Sequence, residues 1–441
     1  MLFRSPGVRS GLAWFDDNEE NVSAAVRTTV DEPGLRKDGV RLVRAALWAW
    51  MMRERFEDLQ RGVLAFGAAD APVESEADAV IQAIDAIYHV MVAARGGEPI
   101  DEQAFATRMD AIVEAARRQP SELSAAAPTL LAGVQSALAD HHVGAVWSRG
   151  FRLDLTDGDE LPEWTRAFLS LLASAIAQNS GDIETLGIRS EQALEMFREL
   201  GDVWGIAFAS QMRSEWLLLE GRLEEALEVA DSATTGLEGL TSLSDVTQQR
   251  GLGINALLRL GRVDEARERL DLLLEVAHAD GSERSILQAE FTAATFALAE
   301  GDGEAALGHL ALLPGLTASD PVDQLIAWGG SLAARAHLLS GRPDAARAEL
   351  RTALAPALRS GDQPVIADTA LTLATWLAAT GRIDDARRAF AASIRIRGGV
   401  DATDPTVRRL SETLGTTQTA PEEYTSGAAM VELEQLARLL D

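Results

Sequence analysis

Gly181, Gly221, Gly261, Gly301, Gly341 and Gly381 stand 40 residues apart with no slippage. A strict period of this length marks an array of like units, each too small to bury its own apolar face and each stacked on its neighbours. Five residues after the last five glycines come Ala226, Ala266, Ala306, Ala346 and Ala386. Between glycine and alanine lies an acidic residue: Glu224, Asp264, Glu304, Asp344 or Asp384. A chance match of Ala- and Gly-rich sequence with itself does not hold one phase over five units.

Each position has a physical reason. Glycine ends a helix, where a left-handed backbone is least costly without a side chain. The acidic residue falls in the first turn of the next helix, where it favours the helix dipole. The alanine lets that helix pack closely on the one before. A second punctuation runs half a period out of phase, at Leu200, Ala279, Ser319 and Ser360. Each unit is therefore two helices. The first helices are predicted at 203–219, 243–259, 283–299, 321–339 and 363–379. Their partners start at Leu223, Val263, Glu304, Pro343 and Ile383. Proline is tolerated at a helix start because its missing N–H has no partner there anyway.

The chain before the array is helical but off the beat. Residues 41–66 read as a helical pair bending near Glu54, and 75–118 as a second pair turning at Gly96–Pro99. The acidic stretch Asp154–Trp164 is the best internal boundary. After Ile396 two loops flank a short helix, and a last helix is predicted at Ala428–Leu440. The expected organisation is an irregular N-terminal array of helical pairs over 1–153, a regular array over 159–397 and capping helices over 398–441.

Composition agrees with packed helices. Hydrophobic residues make up 47% of the chain but aromatics only 5%, and Ala and Leu lose little entropy in a helix. The net charge of -28, from 68 acidic and 40 basic residues, repels nucleic-acid phosphate. Lys37 is the only lysine, which removes a Schiff-base lysine and a Gly-Lys-Ser/Thr phosphate loop. The absence of cysteine removes disulfides and thiolate chemistry. No apolar run is long enough to span a bilayer, and the N-terminus has no secretory core. The expectation is a cytoplasmic protein without membrane contact.

No catalytic pattern appears. The adjacent His141 and His142 lack a carboxylate at i+4 for a metal site, and His337 reads as packing. No Gly-x-Ser-x-Gly, His-Glu-x-x-His or dinucleotide glycine fingerprint is present. The expectation is no catalytic residue, no metal and no cofactor.

Folded at 40, the sequence puts equivalent residues in columns. Ile206, Val246, Ile286, Ile326 and Ile366 form one apolar column, and Leu218, Leu258, Leu298, Leu338 and Ala378 another. A third alternates large and small: Trp216, Ala256, Phe296, Ala336, Trp376. All three are expected in the core. A different stripe of the first helices is polar or irregular, with members spaced by four and then seven residues, hence on one helix face. It includes Trp204, Phe208, Glu215, Gln248, Asn255, Arg284, Gln288, Gln324, Trp328, Arg335 and Asp368. In such arrays the first helices line the concave side, so these residues are the candidates for a groove that binds a protein partner or a small signal molecule. The alternative is a small-molecule-binding protein or enzyme with a pocket near Trp147 and Trp164, where the irregular helices meet the array.

The phrases "GRLEEAL", "GRVDEAR" and "GRIDDAR" resemble the tetratricopeptide turn with both helices lengthened from the standard ~34-residue period, which implies an all-α, right-handed superhelical solenoid of antiparallel helix pairs. A wider resemblance rests on "WFDDNEENVSAAVRTTV" with "RLVRAALWAWMMRERFEDLQRGV", on "ALEMFRELGDVWGIAFASQMRSEWLLLEGRLEEAL" and on "FAASIRIRGGVDATDPTVRRL". These are similar to the region following the winged helix, through the tetratricopeptide end, of AfsR-like (SARP) regulators of actinobacteria, which carry a BTAD segment and belong to the signal-transducing ATPase class. The resemblance covers nearly the whole sequence. It implies a sensor and autoinhibitory role, in a piece of a larger regulator or a free-standing relative. DNA binding and ATP hydrolysis are carried over to no residue here, because no phosphate loop or DNA-binding helix-turn-helix is found.

Overall fold

The computed structural model describes residues 7–68, 70–96, 100–139, 153–155, 160–313, 322–415 and 425–440. Among them the secondary structure is entirely helical, and the helices pack in adjacent pairs. The chain divides into two compact units. The first comprises Met1–Ile176, Arg189–Ala209 and Gly236–Ser242; the second comprises Ala177–Ile188, Ser210–Thr235 and Leu243–Asp441.

The first unit carries the off-beat helices α1 (Val8–Asp31), α2 (Arg36–Met52), α3 (Phe56–Phe66), α4 (Glu76–Gly96), α5 (Glu102–Arg118) and α6 (Ala127–Ala139). The predicted bend falls between α2 and α3, where Glu54 has φ +53°, a left-handed value that side chains rarely adopt. Arg53 beside it grips both oxygens of Asp16, at 2.7 and 2.9 Å, and donates to the Leu240 carbonyl at 2.7 Å. Phe15, Trp48 and Trp50 are buried in this core. Charged groups here meet opposite charges: Arg36 reaches Asp78 at 2.8 Å, and Arg108 reaches the buried Asp85 at 2.6 Å.

The helices that follow are α7 (Glu163–Ser180), α8 (Ile183–Leu200), α9 (Val203–Leu219), α10 (Leu223–Leu237), α11 (Leu243–Arg259) and α12 (Val263–Asp280). Then come α13 (Glu283–Glu300), α14 (Gly303–Leu310), α15 (Asp323–Leu339), α16 (Pro343–Ser360), α17 (Gln363–Ala379) and α18 (Ile383–Arg397). The C-terminal helices are α19 (Pro405–Leu414) and α20 (Ser426–Ala437), the latter continued by a 3-10 turn at Arg438–Leu440. The first helices predicted from Val203 on, and the predicted starts of their partners, lie within a residue or two of these. The expected start at Pro321 lies outside the described residues.

The six in-phase glycines have φ between +69° and +83°. Each closes the same double hydrogen bond. At the end of α9, Gly221 N–H donates to the Leu218 carbonyl at 3.2 Å and Arg222 N–H to the Leu217 carbonyl at 2.9 Å. This is the Schellman cap, which satisfies carbonyls the helix leaves over. The half-period punctuation is also present, with Gly201, Gly281 and Gly361 left-handed; Ser319 lies outside the described residues. The alanines are seated as expected: Ala266, Ala306, Ala346 and Ala386 are fully buried.

The pairs are antiparallel. Ser214, late in α9, donates to the Ala226 carbonyl, early in α10, and Ser393, late in α18, donates to the Ala367 carbonyl, early in α17. Successive first helices also touch: the hydroxyls of Ser331 (α15) and Thr369 (α17) are 3.1 Å apart. The apolar columns need correction. Val246 and Ile366 are buried, but Ile206, Ile286 and Ile326 are only half-buried, as are Leu258, Leu338 and Ala378. Leu258, Leu338 and Ala378 pack at the margins of their cores, and Leu258 also lines a cavity. In the large-small column, Ala256, Phe296, Ala336 and Trp376 are buried and Trp216 is half-buried.

Candidate functional site

The second unit holds a half-open cavity of about 830 Å³. Its wall takes residues from first helices of successive pairs and from the chain after α18. Glu215 comes from α9; Gln248 and Asn255 from α11; Arg284 and Gln288 from α13; Gln324, Trp328 and Arg335 from α15; Asp368 from α17. These belong to the stripe singled out by the column analysis, and the fold brings them to one space. The apolar part of the wall includes Leu252, Leu287, Leu325 and Leu371. Phe291 and Trp328 stack there, with ring centroids 4.6 Å apart and planes 9° apart. Trp328 stays 41% exposed, so one ring face is covered by phenylalanine and the rest is open.

Two members of the stripe do not reach the cavity. Trp204 and Phe208 belong to the first unit, where Trp204 packs on Trp48 (4.7 Å) and on Phe208 (4.8 Å). Trp164 joins this aromatic cluster at 5.8 Å from Trp48, and its Nε1–H donates to the Asp202 carboxylate at 2.7 Å. Trp204 and Phe208 are therefore packing residues, and Trp164 is buried with them. His141, His142 and Trp147 lie outside the described residues. His337 is half-buried in α15.

Several cavity residues have no counterpart in the stripe. The most informative is Arg259. Its guanidinium pairs with Asp401 at 2.7 and 2.9 Å, donates to Thr403 at 3.1 Å and lies 3.8 Å from Asp404. Its Nε–H donates to Asn255 at 2.7 Å. This network draws the segment after α18 onto the ends of the first helices. Around it, a Cβ on Gly181 would meet the Ile396 carbonyl at 2.7 Å, and Arg409 donates to the Leu298 carbonyl at 3.4 Å. A segment expected only as a cap thus supplies part of the cavity wall, including Asp401 and Asp404. A signal existed in the sequence. The column Leu219, Arg259, Ala299, Leu339, Ala379 is aliphatic except for one arginine.

The charges of the cavity are unequally matched. Arg335 holds both oxygens of Asp368, at 2.9 and 3.0 Å. Burial pushes the Asp368 carboxyl up, with Arg335 and Arg397 opposing and Asp404 adding to the rise. Burial would also raise Asp404, but Arg259 and the N–H groups of Val407 and Thr406 hold it below its ordinary value. Glu215 has no such cation in contact. Among the described residues its donors are the amides of Gln178 and, at 3.4 Å, Gln211. Burial pushes its carboxyl up to about 7, against the pull of Gln211 and Arg397 and with a push from Asp362. Asp362 caps α17 by accepting from Val365 N–H at 3.2 Å, and burial raises it too.

The wall offers an aromatic plate, aliphatic surface, side-chain amides and half-buried carboxylates. Among the described residues no cluster of three His, Cys, Asp or Glu side chains is placed to hold a metal ion, and no helix is long and apolar enough to cross a membrane. No family model matches the chain, and no curated protein matches it at a significant level.

Proposed function

We propose that this chain is a non-enzymatic helical-repeat sensor that binds a small signal molecule in the cavity of its second unit. The observation that carries the reading is the convergence of the polar stripe, from five first helices, on one half-open cavity. Its volume lies in the range of small-molecule sites, about 300 to 1,000 Å³, and its mix of apolar walls with a few fixed polar groups is typical of them. The segment after α18 adds a further wall to the space, which favours a small molecule over a partner helix laid along the first helices alone.

We read the array as a right-handed tetratricopeptide-like solenoid. Contacts between neighbouring pairs support this, because they recur at similar sequence separations: Asp231 with Arg269, Glu304 with Arg342, and Ser331 with Thr369. With the resemblance to AfsR-like regulators, the reading makes the chain the regulatory part, or a relative, of a cytoplasmic transcriptional regulator. The acidic charge of -28 supports the absence of direct nucleic-acid binding by this chain.

The test is a thermal-shift screen of the intact chain and Trp328→Ala against a collection of metabolites and short peptides. The expected result is one or more small molecules that raise the Tm of the intact chain, with the shift lost in Trp328→Ala. Stabilisation that survives unchanged in Trp328→Ala, or a specific DNA shift by the isolated chain, contradicts the proposal.

A further inference from the structure

We infer that the cavity takes an amphipathic organic cation, with its ammonium or guanidinium group between Glu215 and Asp362 and its apolar body against Trp328. The inference rests on the cavity being a small-molecule site and adds the chemical class of the ligand.

The argument is one of charges left over. Arg259 is engaged by Asp401 and Asp404, and Arg335 by Asp368. Arg284 and Arg409 also line the cavity, both with exposed side chains, and Arg409 donates to the Leu298 carbonyl. Among the described residues Arg397 closes no salt bridge, but it acts electrostatically on Glu215, Asp362 and Asp368 together. An anion brought to Arg397 would enter the field of those carboxylates. Each half-buried arginine of the wall, Arg259, Arg335 and Arg397, is therefore already set against carboxylates.

The carboxylates are in the opposite position. Among the described residues Glu215 and Asp362 accept hydrogen bonds only from neutral groups, the amides of Gln178 and Gln211 and the Val365 N–H, and the Asp362 charge acts unfavourably on Glu215. A buried carboxylate without a cation in contact is costly, and a cation that reaches it recovers the loss. The second, independent feature is the wall. The stacked Phe291–Trp328 pair presents an open indole edge and face to the same cavity, which suits an apolar or cationic group and penalises an anion.

The experiment is calorimetric titration of the full chain at neutral pH with naphthylethylamine, naphthylethanol and naphthylacetate, which share a ring and differ in head group. The chain should bind the amine at least about tenfold more tightly than the alcohol, the scale of a charge-assisted hydrogen bond, and the carboxylate most weakly. Glu215→Gln should bring the amine to the level of the alcohol and leave the alcohol unchanged. Asp362→Asn, which keeps a capping side chain, should lower the amine alone and serves as the second variant if Glu215→Gln fails to fold. Equal binding of amine and alcohol, or a preference for the carboxylate, overturns the inference; if Trp328→Ala still weakens all of them, the cavity reading survives. Failure of all three probes to bind overturns both.

Discussion

Phe208 and Trp328 occupy the same column of the repeat, yet one belongs to the first unit and the other to the second. Phe208 lies against Trp204 in a cluster with Trp48 and Trp164, and Trp204 is 9% exposed. Trp328 also has an aromatic neighbour but remains 41% exposed on a cavity. The difference extends to charge. In the first unit Asp78 and Asp85 meet arginines directly. In the second, Glu215 and Asp362 line the cavity with only neutral hydrogen-bond donors in contact among the described residues. A column fixes which face of its helix a residue occupies. What stands opposite that face decides whether the residue is packing or lining, and that depends on the rest of the unit.

The comparison is broken most severely by removing an aromatic from each region. Trp48→Ala should cost about 3–5 kcal/mol, the range for deleting a buried aromatic. Trp328→Ala should cost only about 1 kcal/mol, since a stacked pair is lost but little burial. Urea unfolding of both variants measures this. Equal losses would mean that Trp328 is as deeply packed as the first-unit cluster.

The next effect is the response to pH, which has opposite signs at Glu215 and at Asp16. The Glu215 carboxyl is raised from 4.5 to about 7. Its contribution to stability is fully present below about pH 4.5 and is lost as pH rises through 7, by up to about 3 kcal/mol. Glu215→Gln should flatten the fall in stability between pH 5 and about pH 8. Asp16 in the first unit is lowered from 3.8 by its hydrogen bond to Arg53. Its contribution is present above pH 3.8 and is lost as pH falls through the lowered value. Asp16→Asn should therefore act only on the acid side of the profile, which stability curves of the two variants against pH would separate.

The smallest effects sharpen the view of the array itself. An added Cβ at Gly341 meets nothing within 4 Å, whereas at Gly181 it meets backbone at 2.7 Å. Gly341→Ala should cost about 1–2 kcal/mol for its left-handed φ alone, and Gly181→Ala more. Equal losses would remove the close approach of Gly181 to the end of α18.

The array was legible in the sequence because its signals are local. Gly221 and its relatives cap their own helices, and Ala226 and its relatives sit one turn into the next, so a single period exposes them all. The polar stripe was legible for the same reason, as a fixed offset within each first helix. Trp204 and Phe208 were misplaced because their partners Trp48 and Trp164 lie at distances in sequence that no period encodes. The Arg259–Asp401 pair spans 142 residues, and only the lone charge in an aliphatic column hinted at it. Glu215 was visible as a stripe residue, but its lack of a cation was not, because that depends on where Arg259, Arg335 and Arg397 find their own neighbours.

The central claim is that the second unit's cavity, and no surface of the first, is where a ligand binds. A crystal structure of the chain with naphthylethylamine tests it most directly. The account predicts density for the ring against Trp328 and for the amine beside Glu215. Density at the Trp48–Trp204 cluster, or a cavity filled by the chain's own side chains with the probe elsewhere, would contradict it.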